Sequence, residues 1–203
     1  MKTPLVVFLC LLLVAAPSLL GQEKKMEKEE MPPMVPPAPL NDDFTQWMVG
    51  EWEGWTESPM GKTKDWQKVE KGLDDQFVII DYKGTMTSMT PEQLERAAAM
   101  MNMSKADAEK MMKNWTYKGH GMITLDPTSN EFVAYWFDSW RGMYKGTGKR
   151  EGNKVTFIWE GPMGTSERTT EKVSADKMVE TFKEKAPDGS TMEGRSEWTR
   201  KKM

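Results

Sequence analysis

The sequence has one cysteine and one histidine, and this scarcity excludes several classes of enzyme and metal site. Cys10 lies in an N-terminal segment that we expect to be removed on export, so the mature chain has no cysteine nucleophile and no disulfide. One histidine, His120, cannot supply a site with several histidine ligands. No serine lies in a nucleophile-elbow sequence. We therefore predict that the protein is not an enzyme and needs no cofactor.

Long apolar runs are also scarce. The run from Leu5 to Ala16 is shorter than the roughly 20 residues of a membrane helix, and no run of that length follows. Lys2 before it and small residues after it predict a secretion signal over residues 1–21. Cleavage at the Ala16-Pro17-Ser18 pattern and cleavage after Gly21 both fit. We expect a secreted or periplasmic protein without a membrane span.

Clustered charge of one sign is lacking too. The 28 basic and 31 acidic residues are interspersed, and they leave a net charge of −3. Nucleic-acid-binding proteins carry a basic stripe or patch, so nucleic acid is not an expected partner. We expect a monomer or a weak dimer.

Residues 22–40 form a spacer by composition. They begin as a charged run and finish with five prolines, a composition that buries too little apolar surface to order itself. We predict a disordered linker here and a single folded domain over residues 41–203.

The folded domain is dominated by β-like segments. Turn sequences rich in glycine, proline, asparagine and aspartate separate them, and such short connections are typical of antiparallel neighbours. The predicted strands are 50–57, 64–71, 75–83, 115–125, 131–138, 141–150, 154–160, 164–173, 176–185 and 191–200. Together they predict an all-β fold, an antiparallel barrel of about ten strands.

Two helical segments interrupt this pattern. Residues 44–49 predict a short helical turn that plugs one end of the barrel. Thr90, Pro91 and Gln93 form a capping box with proline at the first helical position, which opens a helix-turn-helix over 90–114. We expect this insertion, between strands 3 and 4, to lie over a barrel mouth as a methionine-rich lid.

Four motifs resemble those of a known family. Val49–Gly54 resembles its opening "vGeWeG" motif, and Met122–Pro127 with Asn130–Val133 resembles its central "lgyDp…yv" hairpin. Trp159–Pro162 and Glu197–Arg200 fit its later strands. On these residues the chain resembles the bacterial domain-of-unknown-function group 1579, which is distantly similar to nitrobindin and lipocalin-like (calycin) barrels. The resemblance implies a ten-stranded barrel, and the family has no settled activity.

The resemblance also implies two residue roles. In calycins the tryptophan of the opening motif packs against a basic residue of the last strand, which here is Trp52 against Arg200, or against Arg195 in another register. Nitrobindin-like barrels hold haem through a histidine on a late strand. The chain has no histidine after His120, so haem binding would require His120 to face the cavity.

Reversible binding of a small apolar molecule inside the barrel is the function that this pattern favours. From strand alternation, the candidate ligand-binding residues are Trp66, Phe77, Ile79, Trp136, Phe157, Trp159 and Phe182, with Arg168 and Glu180 as polar anchors.

Two alternatives stay open. Nine tryptophans could fill the barrel completely, and the protein would then be a structural or interaction protein of the cell envelope. Met101, Met111 and Met112 are soft thioether donors that could hold Cu(I). The same methionines could instead fill the apolar face of the lid.

Overall fold

A computed structural model describes residues 37–113 and 115–202. The predicted secretion signal and most of the predicted linker lie outside the described residues. The ten strands are β1 (Gly50–Ser58), β2 (Gly61–Gly72), β3 (Phe77–Ser88), β4 (Thr116–Leu125), β5 (Phe132–Asp138), β6 (Met143–Glu151), β7 (Lys154–Gly161), β8 (Gly164–Lys172), β9 (Lys177–Lys185) and β10 (Thr191–Arg200).

Every strand pairs antiparallel with its neighbours along the chain, and β1 pairs with β10 to close the barrel. The predicted ten-stranded antiparallel barrel is therefore confirmed. The β1–β2 connection is tighter than predicted, because Ser58 pairs directly with Gly61 across a two-residue turn. Gly61 has a φ of 129°, a conformation that favours glycine.

The helices are α1 (Asp43–Met48), α2 (Pro91–Met100) and α3 (Lys105–Met112). We call the barrel end beside α1 the base and the opposite end the mouth. Asp42 caps α1 by accepting hydrogen bonds from the Phe44 and Thr45 amides, at 3.0 and 2.9 Å. The buried side chains of Phe44 and Met48 then belong to the same apolar cluster as the barrel interior. The helix thus plugs the base, as expected.

The mouth carries the inserted pair α2–α3, which we call the lid. Thr90 and Gln93 form the capping box of α2, and Ser104 caps α3. Gln93 Nε2 donates to the carbonyl of Ser58, 3.1 Å away, and this bond ties the lid to the β1–β2 turn. The residues that the lid buries are mostly small: Ala97, Ala98, Ala108 and Met112.

The end of the predicted linker belongs to the folded domain. Leu40 is 7% exposed, and its amide donates to the Asp75 carbonyl at 2.9 Å. Gln76 Nε2 donates to the Pro37 carbonyl at 3.0 Å. The prediction that disorder extends to residue 40 is wrong for residues 37–40. The Leu40 side chain packs into the apolar cluster that contains Phe44.

Arg200 closes the base of the barrel. Its Cζ lies 4.1 Å from the centroid of the Trp52 ring, and Trp52 is fully buried. The Arg200 guanidinium also donates to the carbonyls of Val49 and Trp47, at 2.6 and 2.5 Å. Arg195 is exposed and pairs with Glu197 instead, so Arg200 is the partner of Trp52.

The base half of the interior is packed with apolar side chains. Its buried strand residues are Trp52, Val69, Val78, Ile80, Ile123, Phe132, Ala134, Val155, Phe157, Met178 and Trp198. Among the described residues no helix is both long enough and apolar enough to span a bilayer.

Candidate ligand site in the mouth half of the barrel

An ion cluster projects into the mouth half of the interior. Arg168 lies on β8 opposite Phe157 and Phe182, both buried, so its side chain shares their inward face. Its guanidinium contacts Glu180 at 3.1 Å and Glu184 at 2.7 Å, both from β9. It also lies over the Phe182 ring, 4.8 Å from the centroid. The two carboxylates raise the pKa of Arg168 against the opposing effect of burial, and the group is charged.

The inward side chains of this cluster are only partly covered by protein. The exposed fractions of the side chains are 35% for Arg168, 34% for Glu184 and 25% for Glu180. In the base half, Trp52 and Val155 are 0% and 2% exposed. The base half is therefore close-packed, whereas the mouth half leaves accessible space beside its charged groups.

Aromatic rings line this space by lying over glycines of neighbouring strands. The Trp136 ring covers Gly121, where a Cβ would lie 2.6 Å from a ring carbon. The Trp159 ring covers Gly146 in the same way, with a closest approach of 2.8 Å. Because glycine has no side chain, each ring can lie against the barrel wall. Both tryptophans are half-buried.

A tyrosine pair continues the aromatic wall. Tyr82 contacts Tyr117 and Trp136, with ring centroids 5.8 and 6.0 Å apart. The Tyr117 hydroxyl accepts a hydrogen bond from Trp136 Nε1 at 2.8 Å and donates to Asp138 Oδ2 at 3.3 Å. Burial raises the pKa of Tyr82 and of Tyr117 far above the ordinary value. Both hydroxyls are therefore protonated at neutral pH.

Asp65 is a fully buried carboxyl on the wall of this space. It is 1% exposed, and its Oδ2 accepts a hydrogen bond from Thr56 at 2.5 Å. Its Oδ1 has no hydrogen-bond partner among the described residues. The Tyr82 hydroxyl lies near Gly84 beside this oxygen, and its contact with Asp65 favours the ionised carboxyl. Burial raises the pKa of Asp65 above its ordinary value.

Two further buried polar atoms lie on β7 and β8. Trp159 and Ser166 are cross-strand partners. Trp159 Nε1 and Ser166 Oγ are buried and lack hydrogen-bond partners within the described part of the chain. Such groups cost free energy unless a bound molecule or water satisfies them. Six of the nine predicted ligand-binding residues face the barrel interior: Trp136, Phe157, Trp159, Arg168, Glu180 and Phe182. Of these, Phe157 belongs to the packed base half.

Trp66 does not line the interior. Its neighbours Asp65 and Gln67 are buried on β2, so Trp66 faces outward, where its indole lies beside Glu51. The prediction placed the larger ring inside, because alternation alone does not say which face of β2 is buried. That choice also missed Asp65.

Phe77 and Ile79 also lie on the outer face. Val78 and Ile80 of the same strand are buried and face inward. The Ile79 side chain packs outside the barrel over Gly72. Both faces of β3 carry large apolar groups, so the sequence contains no signal that separates them. The interior residue that the prediction missed on this strand is Tyr82.

His120 lies on the outer face of β4. It is exposed, and its Nδ1 is 2.8 Å from Asp81 Oδ1. Its neighbours on the inward face are Gly119 and Gly121, which Trp136 covers. Because His120 is the single histidine, no imidazole faces the interior, and the residues present do not fit a histidine-ligated haem there.

The methionines of the lid have different environments. Met112 is 5% exposed, whereas Met101 and Met111 are half-buried. Among the described residues no three His, Cys, Asp or Glu side chains are grouped as metal ligands. Cu(I) binding stays a prediction, and replacing the three methionines by leucine tests it.

Neither a family model nor a curated protein sequence matches the chain. Two similar solved structures are the S-type phycobiliprotein lyase CPES from Guillardia theta and Rv2717c from M. tuberculosis. The first is 12% identical with a TM-score of 0.50, covering 79% of this chain and 92% of the lyase. The second is 9% identical with a TM-score of 0.51, covering 79% of this chain and 99% of Rv2717c. At these identities the similarity concerns the fold alone, which is a closed antiparallel β-barrel.

Proposed function

We propose that this protein reversibly binds a small, largely apolar molecule in the mouth half of its barrel, without catalysis. The observation that carries the proposal is the partial solvent exposure of the Arg168, Glu180 and Glu184 side chains. All three lie at inward positions of β8 and β9. A solid barrel would cover such side chains as fully as it covers Trp52. Aromatic walls with a few convergent polar groups are typical of ligand sites.

Export and family membership belong to the same proposal. The predicted secretion signal over residues 1–21 supports a secreted or periplasmic carrier. The motifs at Val49–Gly54 and Glu197–Arg200 support kinship with group 1579. We expect no nucleic-acid partner, and we expect a monomer or weak dimer.

A titration with N-phenylnaphthylamine tests the binding proposal. This neutral dye becomes fluorescent in apolar sites, and the exported protein should bind it with a stoichiometry of one. A matched pair of variants locates the site. Glu184→Trp fills the mouth half from an inward position, whereas Lys183→Trp adds the same ring at an exposed, outward position next to it.

We expect Glu184→Trp to lose the dye and Lys183→Trp to retain it. Near-ultraviolet circular dichroism, which reports aromatic packing, checks that both variants are folded. No dye binding to the wild-type protein, or equal binding by the two folded variants, would contradict an interior site.

A second candidate function is protein interaction through the outer surface. Phe137 and Met143 are cross-strand partners on the outside of the barrel, 44% and 67% exposed. Trp140, in the turn between them, is 61% exposed. Adjacent exposed apolar groups of this size are typical of interaction sites. Analytical ultracentrifugation of the wild type and of Phe137→Ser tests self-association. A sedimentation coefficient that is independent of concentration in the wild type would remove a second copy as the partner.

A further inference from the structure

The charges that face the mouth half of the interior are unbalanced. Among the described residues, the carboxyl groups facing it belong to Asp65, Asp138, Glu180 and Glu184. The guanidinium of Arg168 is the one basic group that faces them in the same set. Four carboxyls against one guanidinium leave a surplus of three acidic groups.

The basic group is already engaged. Arg168 contacts both Glu180 and Glu184, so it balances one of these two charges and leaves the other. Asp138 is held by its own turn, where Oδ1 accepts from the amides of Trp140 and Gly142 at 2.8 Å. An anionic ligand would therefore have to compete with two carboxylates for Arg168.

Asp65 supplies an independent sign of a missing partner. The residue is 99% buried, and Oδ1 faces the interior beside the Tyr82 hydroxyl but makes no close, well-aligned hydrogen bond with any described residue. A buried carboxyl oxygen in this state needs a donor, and an ammonium group is the strongest donor available. Tyr82 also lies close enough to Asp65 and Glu180 for both charges to raise the pKa of its hydroxyl.

We infer that the ligand is an organic cation, an amine or ammonium compound with an apolar body. Its charged nitrogen contacts the wall formed by Asp65, Tyr82 and Glu180. The faces of Trp136 and Trp159 receive the apolar body and attract the positive charge, because aromatic rings carry negative potential on their faces. This inference rests on the proposed function and adds the sign of the ligand charge to it.

A series on one skeleton tests the inference. Phenylbutylamine, phenylbutanol and phenylbutyrate differ in charge and share the apolar part, and each is measured by displacement of N-phenylnaphthylamine at neutral pH. We expect the amine to bind most tightly and the carboxylate most weakly, with at least about a tenfold difference between the two, equivalent to about 1.4 kcal/mol. Equal or tighter binding of phenylbutyrate would overturn the inference.

Two variants separate a local charge effect from a global one. Glu180→Gln removes an interior charge, whereas Glu167→Gln removes an exposed charge from the outer face of the neighbouring strand. Only the interior variant should reduce the preference for the amine, and equal effects of the two would contradict the inference. If Glu180→Gln does not fold, Asp65→Asn replaces it and should weaken phenylbutylamine without weakening phenylbutanol.

The dye also separates the two proposals. If the wild-type protein does not bind N-phenylnaphthylamine, the interior ligand site itself is refuted. If the dye binds and phenylbutylamine has no advantage over phenylbutanol, the site remains and only the charge of its ligand is wrong.

Discussion

Replacing Asp65 by asparagine should stabilise the protein at neutral pH. The carboxyl is 1% exposed, one oxygen accepts from Thr56, and the other oxygen has no partner among the described residues. Asparagine keeps a carbonyl oxygen for Thr56 and places an amide NH₂ beside the Tyr82 hydroxyl, which can accept from it. We expect a gain of about 1–3 kcal/mol in the free energy of unfolding, the cost of one unsatisfied buried group.

The pH dependence of this gain has a definite sign. Burial raises the pKa of Asp65 in the folded state, so folding favours the protonated carboxyl. Below the ordinary pKa of aspartate the carboxyl is neutral in both states, and the wild type carries no charge penalty. As the pH rises through the folded-state pKa, the wild type loses stability relative to Asp65→Asn, which cannot ionise. The advantage of the variant must therefore grow from acid to neutral pH.

Urea unfolding followed by tryptophan fluorescence at several pH values measures this difference. Glu57→Gln is the matched control, because Glu57 is exposed on β1 next to Thr56. The control should change stability by less than about 0.5 kcal/mol. A neutral-pH loss of stability in Asp65→Asn, or an advantage that shrinks as the pH rises, would refute the reasoning.

Three further changes test other parts of the structure, each by urea unfolding. Arg200→Gln should cost about 2–4 kcal/mol, because it removes charged hydrogen bonds to two carbonyls and the contact with Trp52; a cost below about 1 kcal/mol would contradict this closure of the base. Gly121→Val should cost about 1–3 kcal/mol and also reduce dye binding, because the new side chain displaces the Trp136 ring. Leu73→Gly should add about 0.5–1 kcal/mol, since Leu73 is exposed with a φ of 51° in the β2–β3 turn; a loss would show that its side chain contributes packing.

The barrel itself could be predicted from local signals. The turn sequence Glu151-Gly152-Asn153 joins β6 to β7, and Gly152 adopts a φ of 62°, which such a tight turn requires. The Thr90 capping box marked the start of α2 because its hydrogen bonds are local to four residues. These features need no knowledge of distant parts of the chain.

The inward face of β2 and β3 could not be predicted in the same way. A shift of one residue exchanges the two faces of a strand, and β3 carries apolar groups on both. Only pairing with β4 and β1 decides that Tyr82 and Asp65 face the interior while Ile79 and Trp66 face outward. A buried aspartate is also rare enough that hydrophobicity favours the neighbouring tryptophan.

The interior is more polar than the sequence predicts, again because the register of neighbouring strands cannot be read from the sequence. The sequence indicates Arg168 and Glu180 as polar anchors, and the structure joins them with Glu184 in one cluster. Side chains on one face of a strand recur every second residue, so Glu180 and Glu184 lie on the same face of β9. The sequence alone therefore shows that the two carboxylates share a face. Their common partner on β8 becomes visible only once the register of the two strands is known.

The central claim, that a ligand occupies the mouth half of the barrel, is tested most directly by nuclear magnetic resonance of the tryptophan indoles. The nine tryptophans give separate indole N–H signals in protein labelled with ¹⁵N-tryptophan. On titration with phenylbutylamine we expect the signals of Trp136 and Trp159 to shift, and those of Trp66 and Trp140, on the outside, to stay in place. Shifts confined to Trp66 and Trp140, or no shifts at a ligand concentration that displaces the dye, would contradict the account.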